Sequence, residues 1–544
     1  MTKRRAFLAA VALAGRLALS QEPVPPEAAA QAEPALAEAP PPPAFAPTER
    51  YVDRVRREGA VLELTLKDTI ERTLRNNLDI AIEYDNSQLA RQGLRGALGA
   101  YDPFFSLGGV RSSVETPNSL QGASETVHSL NFGPSISQQL PGGGSLGVGL
   151  TNSRTRTDAL AIVNPLFGSQ LDLSLTQPLL RGFLETGIQR QIREARLRIG
   201  ASDAQFRQRV ADVVQLAQDR YWFLLGAIET YEAQRQSRDL AVTQYERTRQ
   251  RAASGLLSGV AITSSRAEVA GREQQMFESE VQILQAQNAL KQSLSADPGD
   301  EIWRRVVLPV DRPEVREPTL QLEAAVALAL TQRPELEQLK KQVEIAQVNV
   351  AFYRRETLPG LSFQGGLGAV GRSGELAPGQ GGDLANAPGV GGLGNALGQV
   401  FRFDYPSWSA GLTASIPIGN RTANAQLEAA RITERQVRSQ LSKGQQAVVV
   451  EVRNAWEGVM TRKKSLDAAR LARELSEEQL ASETARFQVG FTTNFEVLRY
   501  QRDLVEAQVR ELTAVINYQS ALTALQKSIG AIVGPAELET ARRE

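Results

Sequence analysis

Residues 171–182 read LDLSLTQPLLRG, and a related stretch, LTASIPIG, occupies residues 412–419. In both stretches apolar side chains alternate with small or polar ones. Strict alternation predicts a β-strand with one apolar and one polar face. Each stretch is followed by more than sixty residues without an internal proline, rich in the good helix formers Ala, Gln, Arg, Glu and Leu. The chain is therefore expected to combine short two-faced strands with very long helices.

The chain repeats this plan once. Asn77 and Asp79 correspond to Arg333 and Glu335 at an offset of 256 residues, and further landmarks recur in the same order. Such a long internal repeat indicates a duplicated unit. In each half we expect a first helix, a β region, a very long helix, a glycine break and a last helix. The predicted helices are Lys67–Ala100, Ile188–Ser254 and Val260–Ala296 in the first half, and Glu323–Glu356, Ala423–Val489 and Phe495–Ile529 in the second.

The N-terminus has the pattern of an export signal. Lys3, Arg4 and Arg5 precede a short apolar run and a small-residue site that ends at Ser20. No later run approaches the roughly 20 apolar residues of a membrane helix, so any membrane contact would involve a β-barrel or a surface. The predicted segments are a signal peptide (1–20), a Pro/Ala-rich linker (21–61), a first repeat (62–300), a connector (301–318), a second repeat (319–530) and a C-terminal tail (531–544).

The alternating segments favour a membrane barrel. Their second face is small and polar, which suits a wet lumen, and aromatic residues cluster near predicted strand ends. One chain has too few strands to close a wide barrel, so several copies must share one. Half one has room for four strands, and whether the extra hairpin near 127–156 joins the barrel stays open. The Gly-rich stretch Gly365–Gly398 is expected to form an external loop.

The composition excludes several other functions. Lys plus Arg and Asp plus Glu both number 61, so the excess of positive charge typical of nucleic-acid binding is missing. The chain has no cysteine and one histidine, His128, which excludes a disulfide framework, a zinc site and a thiol nucleophile. We therefore expect no cofactor and no enzymatic activity. Two interpretations remain, a transport channel or a periplasmic coiled-coil scaffold or adaptor outside the membrane.

Several motifs carry a family resemblance. They are Leu64-x-Leu66 with Asn77 and Asp79, the element Thr176–Gly182 with its partner Ser415–Gly419, and the hairpin turns Arg251-x-x-x-Gly255-Leu256 and Arg486-Phe487-x-Val489-Gly490. In this order and spacing, over about residues 62–530, the chain resembles the outer-membrane efflux protein family, the TolC-like channels.

The resemblance implies a mainly α fold with transmembrane β-strands. Duplicated long helical hairpins of a homotrimer would form an α-barrel tunnel in the periplasm, below a shared β-barrel in the outer membrane of a Gram-negative-type cell. The chain would be a subunit of a passive exit duct in a tripartite efflux or type I secretion system. Its partners would be a periplasmic adaptor (membrane fusion) protein, an inner-membrane pump or ABC exporter, and outer-membrane lipid.

The resemblance also suggests functional residues. The hairpin tips are expected to dock the adaptor, and the candidates there are Gly255, Leu256, Val489, Gly490 and Phe491. The family often has an acid six positions after the turn glycine, which is Glu496 here but Ala261 in the first half. Arg499 replaces a second family acid, and Thr492 occupies the position of a gating arginine. Glu496 and its neighbours are therefore candidates for a pore constriction, where a ring of carboxylates would favour cations. Alternatively, Glu496 simply pairs with Arg499 at i,i+3.

Overall fold

The structure is a computed structural model that describes residues 48–117, 124–158, 161–255, 257–315, 321–376 and 389–542 of the chain. The predicted signal peptide (1–20) and most of the predicted linker lie outside these ranges.

The described residues contain eleven α-helices and eight strands. The part of the chain up to the end of the first repeat contains α1 (Tyr51–Glu58), β1 (Val61–Leu64), α2 (Leu66–Asn76), α3 (Leu78–Leu98), β2 (Phe104–Pro117), β3 (Ser124–Gln139), β4 (Ser145–Thr157), β5 (Val163–Pro178), α4 (Gly187–Ala253) and α5 (Gly259–Leu294). The connector contains β6 (Val306–Pro309), the second repeat contains α6 (Leu322–Gln332), α7 (Pro334–Glu356), β7 (Gly360–Leu376), α8 (Leu393–Arg402), β8 (Pro406–Ser415), α9 (Arg421–Gln488) and α10 (Asn494–Ser528), and the C-terminal tail contains α11 (Pro535–Arg542).

The long helices α4 and α9 contain 67 and 68 residues, so each is about 100 Å long. Both begin and end within two residues of the sequence prediction. Two shorter helices pack along each of them, α3 and α5 along α4, and α7 and α10 along α9. None of the described helices combines the length and apolarity needed to cross a membrane.

The first helix of each repeat is broken, so the predicted continuous helices Lys67–Ala100 and Glu323–Glu356 are wrong. Asn77 separates α2 from α3, and its amide donates a hydrogen bond to the backbone carbonyl of Ser293 in α5 (3.4 Å). At the equivalent position, Arg333 separates α6 from α7 and donates to the carbonyl of Ser528 in α10 (3.1 Å). The last carbonyls of a helix lack partners within it. The break thus caps the last helix of its own repeat.

Strands from both repeats form one antiparallel sheet with the order β2-β3-β4-β5-β7-β8. The sequence alone did not decide whether the hairpin of β3 and β4 belongs to the main sheet. In the structure it lies between β2 and β5 in this sheet. A second, two-stranded sheet pairs β1 in parallel with β6, which belongs to the connector between the repeats. A buried apolar cluster surrounds β1 and β6 and includes Leu224 and Tyr231 of α4 and Ile283 of α5.

Most of the described part of the Gly-rich stretch Gly365–Gly398 is strand or helix and not an external loop. Strand β7 continues to Leu376, and α8 packs across β7 and β5 with Ala396 and Val400 buried. Gly371 permits this close approach, because a Cβ atom there would collide with the carbonyl of Ala396. Residues 377–388 lie outside the described ranges.

The folded part begins earlier than predicted, because α1 lies within the expected linker 21–61. Tyr51 of α1 is buried and meets Tyr231 of α4 edge to face, with ring centroids 5.7 Å apart. At the other end of the chain, α11 packs against α2.

Candidate functional site

The second hairpin tip ends α9 with a left-handed glycine. Gly490 has φ +85°, and its N–H donates to the carbonyl of Phe487 (3.2 Å). The N–H of Phe491 donates to the carbonyl of Arg486 (3.0 Å). Two such bonds form the Schellman motif, which requires a residue that tolerates positive φ. The turn therefore depends on glycine at position 490.

The first hairpin tip also has a left-handed glycine after its long helix. Gly255 lies just beyond the end of α4 and has φ +79°. Its N–H donates to the carbonyl of Ala252 in the last turn of the helix (2.9 Å). The space around a Cβ atom at Gly255 or Gly490 is open, so backbone conformation alone selects glycine at both tips. Leu256, another predicted docking residue, lies outside the described ranges.

The tips expose large apolar side chains. Val489 is 69% exposed and Phe491 is 79% exposed. Val260 at the start of α5 and Phe495 at the start of α10 are also exposed, although sequence reasoning did not select them. An apolar surface at the end of a rod is typical of a contact site for another protein.

Side chains join the two hairpins near their tips. The guanidinium of Arg251 lies 4.9 Å from the ring centroid of Phe487, a cation–π contact between α4 and α9. The side chain of Asn494 hydrogen-bonds Gln244 of α4 and lies 3.5 Å from the hydroxyl of Ser265 in α5. The sequence offered no signal for Asn494, because its partners are more than 200 residues away. The four helix ends thus form one connected unit.

The candidate constriction residues lie together at the start of α10. Glu496 and Arg499 form an ion pair at 2.8 Å, as the i,i+3 spacing predicts. Arg499 also lies over the ring of Tyr500, 4.9 Å from its centroid. Thr492 lies in the turn between Gly490 and α10 and is partly buried. The ring of carboxylates around an axis stays a prediction.

Replacing Glu496 with glutamine tests the ring. The change removes one negative charge per chain, so we expect the cation preference of a reconstituted channel to fall, because charged rings set ion selectivity. Reversal potentials in a KCl gradient measure the preference. The matched control is Glu246→Gln in the first hairpin, which removes a carboxylate with its own i,i+3 arginine partner, Arg249. An unchanged reversal potential for Glu496→Gln would show that no ring exists.

The six-stranded sheet has two chemically distinct faces. One row of paired residues crosses all six strands and carries only large apolar side chains, each of them exposed in the chain. This row consists of Phe105, Ile136, Val148, Leu173, Leu367 and Trp408. The next row, on the opposite face, consists of Ser106, Ser135, Gly149, Asp172, Gly368 and Ser407. Soluble monomers rarely expose so continuous an apolar surface, and a surface of this kind is typical of a contact with a membrane or with another protein.

The described residues contain no group of three or more His, Asp or Glu side chains placed to hold a metal ion. The buried guanidinium of Arg272 connects neighbouring helices. Arg272, which is 4% exposed, contacts Glu268 of its own helix, Ser237 of α4 and the carbonyl of Leu498 in α10. Burial lowers the pKa of its guanidinium, and Glu268 partly offsets this effect.

Residues 325–531 match the outer membrane efflux protein family. This segment covers most of the second repeat, from α6 to the end of α10, and it confirms the resemblance indicated by the sequence motifs. The family is one of channels and not of enzymes. No curated protein matches the chain by sequence.

Solved outer-membrane proteins share the fold. The CmeC outer membrane channel of Campylobacter jejuni aligns with a TM-score of 0.63 and 15% identity, over 88% of this chain and 89% of that chain. VceC of Vibrio cholerae aligns with a TM-score of 0.60 and 15% identity, over 86% and 96%. The open MtrE channel of Neisseria gonorrhoeae aligns with a TM-score of 0.54 and 16% identity, over 86% and 89%. The predicted fold class, long duplicated helical hairpins with a β domain, is confirmed.

Proposed function

We propose that this chain is one subunit of a homotrimeric outer-membrane channel, the passive exit duct of a tripartite efflux or type I secretion system. The observation that carries the proposal is the match of residues 325–531 to the outer membrane efflux protein family. The fold shared with solved outer-membrane channels over most of the chain supports it.

The geometry suits such a duct. The apolar face of the sheet would contact outer-membrane lipid, while the small polar face would line the lumen. Helices about 100 Å long would extend from the sheet across much of the periplasm. Both hairpin tips would then lie at the far end of the tunnel, where a periplasmic adaptor protein linked to an inner-membrane pump or ABC exporter would dock.

The alternative is a periplasmic coiled-coil scaffold or adaptor. Such a protein would need the same helices, but it would not need a row of six exposed apolar side chains across one sheet. In water that row would promote aggregation. The channel is therefore the better explanation of the sheet.

Cell fractionation and planar-bilayer recording test the proposal together. We expect the full-length protein in the outer membrane, a trimer band on gels of unheated samples, and ion conduction after insertion into a planar bilayer. A water-soluble monomer that never conducts would refute the channel and favour the scaffold.

A further inference from the structure

We propose that each chain contributes all six strands to the membrane wall, so that three copies close an eighteen-stranded barrel that includes the β3–β4 hairpin. This inference rests on the proposed function for the membrane and for the number of copies. The strand count itself comes from the sheet order β2-β3-β4-β5-β7-β8.

The hairpin has the same two faces as its neighbours. Ile136 of β3 pairs with Phe105 of β2 and with Val148 of β4, and Val148 in turn pairs with Leu173 of β5. The apolar row thus crosses the hairpin without interruption. On the other face Ser135 of β3 and Gly149 of β4 continue the small polar row. A hairpin that merely decorated the outside in water would not need an apolar face in register with the wall.

The strands of the hairpin are also long enough. Strand β3 contains 16 residues and β4 contains 13, whereas a tilted transmembrane strand needs about 9–11. Because the hairpin separates β2 from β5, removing it from the wall would leave β2 without its partner and β5 paired only with β7.

The edges of the sheet suit closure by further copies of the chain. Within the described residues, β2 and β8 each pair on one side only. The strands alternate in direction, and an even number of them makes β2 and β8 run in opposite directions. The edge strand β8 of one copy can therefore pair antiparallel with β2 of the next. Identical copies joined in this way leave no open edge in lipid.

The strand number has a consequence for cargo. Barrel diameter grows roughly in proportion to strand number, and barrels of about 16–18 strands enclose an aqueous channel. Without the hairpin, the same trimer would have twelve strands and a lumen about two-thirds as wide. The sheet would then admit large hydrated solutes, and the hairpin tips would be the place where passage is restricted.

Cysteine accessibility tests the placement of the hairpin, because the natural chain contains no cysteine. Matched single-cysteine variants place a thiol on each face of the same strand. The pairs are Ile136→Cys with Ser135→Cys on β3, Val148→Cys with Gly149→Cys on β4, and Leu173→Cys with Ser174→Cys on β5 as the reference. The probe is a membrane-impermeant maleimide added to outer-membrane fragments that contain the trimer.

We expect the polar-face cysteines of all three pairs to react at least about tenfold faster than their apolar-face neighbours, because thiolates form in water and not in hydrocarbon. After denaturation by heating in sodium dodecyl sulfate, the members of each pair should react equally. If the hairpin cysteines react equally in membranes while the β5 pair keeps its difference, the hairpin lies outside the wall and the eighteen-stranded barrel is refuted. If the β5 pair also loses its difference, the sheet is not in the membrane and the proposed function fails with it.

Discussion

Replacement of Arg333 with methionine is expected to lower the free energy of unfolding by about 2–4 kcal/mol. Arg333 is 6% exposed, and its guanidinium binds Glu335, Glu451 and the carbonyl of Ser528. Burial alone would lower the pKa of Arg333, but the hydrogen bonds to both glutamates outweigh it and raise the pKa. Methionine keeps much of the volume but leaves two carboxylates and a helix end without their partner. The side chain of Glu451 is half exposed, so water can solvate its carboxylate and the loss of stability is smaller than for a fully buried pair.

Denaturation of the detergent-solubilised protein, followed by circular dichroism at 222 nm, measures this effect. The matched control is Arg431→Met, because Arg431 forms an exposed pair with Glu428 and its loss should cost below about 1 kcal/mol. Arg333→Lys should recover only part of the stability, since an ammonium lacks the forked geometry that reaches several acceptors. Equal destabilisation by Arg333→Met and Arg431→Met would contradict a special role for the buried network.

Replacement of Gly490 with leucine is expected to abolish adaptor docking while the trimer survives. A side chain at φ +85° costs about 1–2 kcal/mol, so the turn should change conformation. Its two capping hydrogen bonds would be lost, and the exposed side chains of Val489 and Phe491 would move. The change is confined to the tip, far along the chain from the sheet. Site-specific cross-linking from Thr492 to the purified adaptor measures docking, and gels of unheated samples report the trimer.

Two control variants separate a change in the backbone conformation of the turn from the loss of a side-chain contact with the adaptor. Gly458→Leu introduces the same side chain at a glycine within α9, which has the ordinary right-handed helical backbone conformation and open space around its Cβ. This variant should leave docking unchanged. Phe491→Ser keeps the turn and removes one apolar contact, so it should weaken docking without abolishing it. Normal cross-linking in Gly490→Leu would rule out the second tip as a docking surface.

The sequence predicted the long helices closely, because uninterrupted runs of helix formers end at glycines. It missed the breaks at Asn77 and Arg333, although Pro334 is a typical first residue of a helix. The two breaks are stabilised by backbone carbonyls that lie 216 and 195 residues away along the chain. Contacts of this kind leave no local sequence pattern. The two-faced strands were visible as alternation, but their order in the sheet was not, since pairing partners are set by the whole fold.

The loop predicted over Gly365–Gly398 was wrong for most of the described residues, for a related reason. Its glycines predict a loop, yet Gly371 supports close packing of α8 on β7. At the tips, the glycines that end α4 and α9 were readable as turn residues. The sequence did not indicate the exposed side chains of Val260 and Phe495 or the bridging side chain of Asn494. Only the assembled helices show which side chains reach the neighbouring hairpin.

The parallel pairing of β1 with β6 has a consequence for biosynthesis. Val61 pairs with Val306, and Leu64 pairs with Pro309, so a nascent chain cannot complete this small sheet until more than half of the polypeptide has left the ribosome. Contacts this distant in sequence form late, because a long loop must be closed first. Until then β1 and the apolar residues around it have no cover, and a product truncated before β6 would be prone to aggregation and dependent on chaperones.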